Sequence, residues 1–112
     1  MIRSVFLLCF CAFSATVIAQ KSDSAYVFAY FKNNGEDGLH LAISEDGFTY
    51  KALKGDSSFL TPEVSKDKLM RDPCIIRGAD GVYHMVWTVS WNDKGIGYAS
   101  SKDLKSRSKQ QF

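Results

Sequence analysis

The chain has 112 residues, 46% of them hydrophobic and 13% aromatic, with 14 Lys+Arg set against 12 Asp+Glu and a formal net charge of +2. That length holds one small domain, and the balanced charge argues against a nucleic-acid partner. Eight Gly and two Pro exclude collagen-like and low-complexity chains, the aromatic content excludes wholesale disorder, and no apolar run reaches the roughly 20 residues of a membrane-spanning helix.

The chain opens with Met1-Ile2-Arg3-Ser4, which carries one positive charge, and residues 5–19 are almost wholly apolar. The run ends in Val17-Ile18-Ala19, with the small side chains that a signal peptidase pocket requires. This is the pattern of a secretory signal peptide over residues 1–19, cleaved after Ala19. A membrane anchor fits less well, because the run is short and Gln20-Lys21-Ser22-Asp23-Ser24 turns polar at once. Cys9 and Cys11 follow Leu8 and Phe10, where a lipoprotein signal needs a small residue. The expected location is secreted or periplasmic, with no membrane contact after cleavage. Cleavage leaves Cys74 as the lone thiol, so no intramolecular disulfide is possible. A lone Cys in an apolar run reads as a small core residue. One Cys and two distant His give no zinc-ligand spacing, and no cofactor is expected.

The remaining sequence predicts strands. Residues 26–31 are aromatic and β-branched, bounded by Asn33-Asn34-Gly35, and residues 39–43 alternate and stop at Glu45-Asp46-Gly47. Residues 74–77, the turn Gly78-Ala79-Asp80-Gly81, and residues 82–88 read as a hairpin. Residues 96–100 make another short strand, and no stretch keeps a helical period with a cap at its start. The expected class is all-β. In the tight turn at Ser44-Glu45-Asp46-Gly47, the Ser and Asp side chains are expected to hold backbone groups, with Gly47 at positive φ and Tyr50 packed over it.

Sliding the sequence against itself by 57 positions exposes a repeat without a gap. Tyr26 falls on Tyr83, Phe28 on Met85 and Tyr30 on Trp87. Leu39 falls on Ile96, Leu41 on Tyr98, Ala42 on Ala99, Ser44 on Ser101 and Asp46 on Asp103. Repeats of this size, with several strands each, indicate radially arranged blades.

Three further stretches carry a resemblance: Met70-Arg71-Asp72-Pro73-Cys74-Ile75-Ile76-Arg77, then Asp80-Gly81-Val82-Tyr83-His84-Met85, then Gly97-Tyr98-Ala99-Ser100-Ser101-Lys102-Asp103-Leu104. Together they resemble the first blade of the five-bladed β-propeller glycosidases, glycoside hydrolase family 43 and its arabinosidase and xylosidase relatives. The preceding repeat is similar to the segment before that blade in one branch of the family. The resemblance implies an incomplete β-propeller of about two antiparallel blades. Residues 20–104 would then be the N-terminal portion of a glycosidase domain, and 105–112 a divergent, solvated basic tail. It also implies inverting hydrolysis of arabinose-, xylose- or galactose-type bonds in an oligo- or polysaccharide. A central calcium in a full propeller is left open.

Inversion needs a carboxylate base and a carboxylic acid roughly 6.5–9.5 Å apart. The family's base transfers onto Asp72. Pro73 is expected to push Asp72 into an extended conformation, and Arg71 to hold its carboxylate ionised by charge proximity. On the residues alone, an Asp-Pro turn cap remains the alternative. Trp91, in a loop, and Trp87 are the candidates for stacking on a sugar ring, Trp91 the better of the two, since Trp87 matches Tyr30 and reads first as packing between blades. His40 and His84 read as packing residues. Glu36, Glu45 and Glu63 match no acid motif of the family, and Arg107 stands where the first repeat has Tyr50. The sequence therefore reads as a truncated or frame-shifted product whose family character ends near Leu104, inactive by itself. Two alternatives stay open. One is a non-catalytic carbohydrate-binding module. The other is a sialidase-like propeller, since Ser44-Glu45-Asp46-Gly47-Phe48-Thr49-Tyr50 is similar to that family's Ser-x-Asp-x-Gly-x-Thr-Trp box but one residue short.

N-terminal sequencing of the exported product is expected to begin at Gln20; a mature chain retaining Met1 would refute the leader assignment.

Overall fold

The computed structural model describes residues 24–112; the leader and its cleavage point after Ala19 lie outside the described residues. Alternating aromatic and β-branched side chains place β1 (Tyr26–Tyr30) antiparallel to β2 (His40–Ser44), with Tyr26 opposite Ser44 and Tyr30 opposite His40. A two-residue β3 (Lys51–Ala52) flanks the far side of β2. The second sheet has the order β4 (Arg71–Arg77), β5 (Tyr83–Thr88), β6 (Ile96–Ser101), antiparallel throughout. The hairpin of residues 74–77 and 82–88 forms where the sequence places it, the strand segments 26–31, 39–43 and 96–100 pair as its neighbours or as a second hairpin, and the described residues hold no α-helix. The fold is all-β, two blade-like sheets of one design.

A strand's period of two gives each sheet two faces. Ala29, Leu39 and Leu41 share one face of the first sheet and pack on Met85, Trp87 and Ala99 of the second. Leu41 is 2% exposed and Trp87 1%. Burying each such side chain contributes about 1.5–3 kcal/mol. The Trp87 indole fits because Gly97 is its cross-strand partner. A Cβ at Gly97 would overlap the ring.

The two Ser-x-Asp tips share one bonding pattern, to which the second adds a bond from Ser101 Oγ to the Ser106 carbonyl at 2.6 Å. Ser44 Oγ donates to Asp46 Oδ1 at 2.8 Å, and the same oxygen accepts from the N–H groups of Phe48 and Thr49, each at 2.8 Å. Asp103 Oδ1 accepts from Ser101 Oγ at 3.2 Å and from the N–H groups of Lys105 and Ser106 at 2.8 and 2.7 Å. These backbone donors hold both carboxyls below the usual carboxylate range, Thr49 and Phe48 leading at Asp46 and Ser106 and Lys105 at Asp103. Gly47 has φ 78°, and Leu104, its repeat equivalent, keeps the same left-handed conformation at φ 62°. Tyr26, not Tyr50, lies over Gly47; Tyr50 instead sits 5.7 Å from Phe28, ring to ring.

Two further expectations are corrected. Cys74 is exposed rather than in the core, because its side chain points away from the packed face of β4. The basic stretch 105–112 does not trail into solvent. Ser108 N–H donates to the Ser100 carbonyl at 2.9 Å, and Tyr98 and Gln111 exchange two backbone bonds at 2.9 Å each. The buried Gln110 side chain accepts from Glu63 N–H at 2.9 Å and donates to the Thr61 carbonyl at 2.8 Å. Lys105 and Lys109 are exposed, Arg107 is half-buried beside Leu39 and Leu41, and the backbone completes the outer edge of the second sheet, which a reading based on charge alone misses.

Gly97→Ala is expected to overpack the core and lower the urea unfolding free energy by about 1–3 kcal/mol, read from the emission of the buried Trp87. An unchanged unfolding midpoint would contradict the close approach at Gly97.

Candidate functional site

Asp72 stands at the start of β4, where the register slips between Arg71 and Cys74 in a β-bulge. Its φ is 48°. The expectation that Pro73 makes it extended is therefore corrected: the bulge overrides the pre-proline preference. The residue is exposed, and among the described residues no hydrogen bond or ion pair engages its carboxylate.

Arg71 does not serve Asp72 as the sequence suggests. Its guanidinium carbon lies 3.9 Å from the Trp91 ring centroid and 5.3 Å from that of Phe31. Its Nη1 donates to Asn34 Oδ1 at 2.8 Å, and Trp91 Nε1 donates to the same oxygen at 3.1 Å. Cation–π contacts of this kind contribute about 0.5–2 kcal/mol. The planar fork thus ties the 31–38 loop of the first sheet and the 89–95 loop of the second to the base of β4. Asn34 and Trp91 are repeat equivalents, 57 positions apart. The close approach needs Gly35 at φ 91°, because a Cβ there would press on the Met70 carbonyl while the Gly35 carbonyl accepts from Met70 N–H at 2.9 Å.

Trp91 remains 67% exposed, so the indole has open surface although Arg71 covers part of it. Trp87 is buried with its Nε1 unpartnered among the described residues and presents no ring face to a ligand. A groove of about 350 Å³ begins at Pro73, next to Asp72, and runs between the edges of β1 and β4, lined by Val27, Phe28, Cys74, Ile75 and Arg77 among others. The pocket between the sheets, about 20 Å³, is the size of one water and too small for a sugar. His84 Nδ1 pairs with Tyr98 Oη at 2.8 Å on the outer face of the second sheet.

A second polar cluster escaped the sequence reading. His40, 1% exposed, has Nε2 2.9 Å from Asp37 Oδ2 and Nδ1 3.2 Å from Asp56 Oδ1, the latter without hydrogen-bond geometry. Tyr30 Oη donates to Asp56 Oδ1 at 2.6 Å, and Lys32 Nζ lies 3.4 Å from Asp56 Oδ2. Asp56 closes a single turn, Lys54–Asp56, whose three residues have φ of 55°, 59° and 61°. Left-handed conformations cost roughly 1–2 kcal/mol per non-glycine residue, and the bonds converging on Asp56 offset that strain. The only sequence signal was Asp37 three residues before His40; nothing local announced Asp56. The Asp56 bond pushes the Tyr30 hydroxyl up from 10.0 to about 12, with burial and the Asp56 charge adding to it. The Tyr30 bond in turn leads in holding the Asp56 carboxyl below its usual range, with help from Lys32. Among the described residues, no three His, Cys, Asp or Glu side chains converge as metal ligands.

The model of a protein family described as "probable glycosyl hydrolase domain" matches residues 22–109. The match covers both sheets and runs past Leu104 into the docked terminal segment. No curated protein and no solved structure matches the chain.

Because the Tyr30 hydroxyl titrates higher folded than unfolded, its bond to Asp56 is expected to contribute stability fully below about pH 10 and to lose it as pH rises through about 12. Asp56→Asn is expected to bring the Tyr30 titration back toward 10.0, followed by NMR of its ring. A Tyr30 titration unmoved by the substitution would count against the bond.

Proposed function

The chain belongs to the family described as "probable glycosyl hydrolase domain", and on that footing we propose that it carries the water-activating side of a secreted, inverting glycosidase site for arabinose-, xylose- or galactose-containing polysaccharide. Asp72 is the general base. Its carboxylate takes a proton from a water as that water attacks the anomeric carbon, while an acid on the opposite face protonates the departing oxygen. Trp91 offers its indole to the apolar face of a sugar ring, steadied by the Arg71 guanidinium beneath it.

The observation that carries this reading is the difference between Asp72 and the two aspartates that cap turns in the same chain. Asp46 and Asp103 each accept two backbone N–H bonds. Asp72 has a left-handed backbone at a bulge and an unengaged, exposed carboxylate. Strain of order 1–3 kcal/mol persists where the surroundings over-determine it, and such residues gather at functional sites. A bulge re-aims a side chain. A turn cap needs neither.

None of Glu36, Glu45 and Glu63 carries the family's acid motif, and Glu63 is held at the outer edge of the second sheet through Gln110. Acid–base assistance is worth about 10²–10⁴ in rate, so the chain alone is expected to bind sugar without hydrolysing it.

The purified chain is therefore expected to release nothing from aryl arabinosides, xylosides or galactosides, yet to bind arabinan, xylan or galactan oligosaccharides in titrations followed by Trp emission. Trp91→Ala is expected to weaken that binding about three- to tenfold, the equivalent of roughly 0.5–1.5 kcal/mol for an aromatic contact. In a form that turns substrate over, Asp72→Asn should lower kcat by about 10²–10⁴. Turnover by the chain alone, or Asp72→Asn at full rate, would overturn the assignment.

A further inference from the structure

Asn34 and Gly35 fasten the first loop to the base of β4 in two ways. Through the backbone, the Gly35 carbonyl accepts from Met70 N–H at 2.9 Å, while Gly35 N–H donates to the Lys32 carbonyl at 2.9 Å. The chain beside Asn34 is thereby fixed to the residue that precedes Arg71. Through the side chain, the half-buried Asn34 gives one carbonyl oxygen to two donors, Arg71 Nη1 at 2.8 Å and Trp91 Nε1 at 3.1 Å. An amide oxygen has two lone pairs, and both are engaged.

A tryptophan in a loop can turn about two side-chain bonds. The Arg71 guanidinium, 3.9 Å from the ring centroid, covers one face of Trp91. A stack alone lets the ring slide and spin in its own plane. The bond from Nε1 removes that freedom, because it ties one edge of the indole to a residue whose backbone is itself anchored. We infer that Asn34 is a positioning residue of the sugar site: its amide oxygen pins the edge of Trp91, so that the ring face not covered by Arg71 is set before a sugar arrives. The inference rests on the stacking role proposed for Trp91. Asn34 acts through the indole rather than on the sugar. A ring already held loses little rotamer freedom when a ligand stacks on it, and binding is tighter by that saving. The role requires an acceptor at this position. An aspartate supplies one and adds a charge-assisted bond to Arg71. A leucine has the same branching and no acceptor, which leaves the indole N–H and Arg71 Nη1 to water.

The two indole N–H groups give separate NMR signals, and Trp91→Ala identifies which is which. Trp87 Nε1, buried and without a partner among the described residues, reports on the core and serves as the internal control. Asn34→Leu is expected to move the Trp91 signal to the position of a free indole and to speed its exchange with water, with the Trp87 signal unmoved. The same variant is expected to weaken binding of arabinan, xylan or galactan oligosaccharides about two- to fivefold. Asn34→Asp is expected to restore both the signal and the affinity; because it keeps the acceptor, it carries the test by itself if Asn34→Leu disturbs the fold. A Trp91 signal indifferent to both substitutions would overturn the inference. So would a signal that moves in Asn34→Leu with affinity at the parent value, in which case Trp91 still binds sugar and the pin is structural. A parent chain that binds none of these oligosaccharides removes the stacking role of Trp91 and this inference with it.

Discussion

The contact between Trp87 and Gly97 underlies the rest of the molecule. An indole of that size reaches the inter-sheet plane only because the cross-strand neighbour has no side chain, and its burial brings Met85 and Ala99 flush against Leu39 and Leu41. Once the sheets are seated, the 31–38 and 89–95 loops come to the same end of the molecule. Arg71 then has two aromatic rings and one amide oxygen within reach. Hydrophobic packing sets the position, and the guanidinium fixes the orientation.

This order of events explains why the candidate base has so few local partners. Asp72 is not held by its own neighbour's charge. It is held by its backbone: Arg71 is anchored on one side, Cys74 re-enters the ladder on the other, and the bulge between them leaves Asp72 and Pro73 to bend outward. The two turn-capping aspartates show the opposite arrangement, with carboxylates committed to backbone donors and extended strands leading in. One residue type thus stands in two settings in the chain, separated by where the hydrogen bonds go.

Much of the fold was legible because strand alternation is a local signal. Residues 26–31, 39–43, 82–88 and 96–100 announce their faces through every second side chain, and the 57-residue register pairs them without knowledge of contacts. The Ser-x-Asp tips were legible for the same reason, since donor and acceptor lie within three residues. What stayed hidden was set by partners distant in sequence. Arg71 was assigned to its neighbour Asp72 because nothing local reveals Phe31, Asn34 and Trp91. Tyr30 and His40 read as packing, and Asp56, which joins them from a strained turn, carried no pattern. The terminal segment 105–112 was misread as solvated because its charge hides a backbone that pairs with β6 and a Gln110 side chain that bridges to residues 61–63.

The bond between Asn34 and Trp91 joins two positions that the 57-residue repeat makes equivalent, yet the residues there differ so that one accepts what the other donates. Identical residues could not make that arrangement: two asparagines give no indole to lie on Arg71, and two tryptophans give no oxygen to receive its proton. The repeat is thus symmetric in its strands and asymmetric at the one point where its two loops meet, and neither residue can be exchanged alone without costing Arg71 a partner.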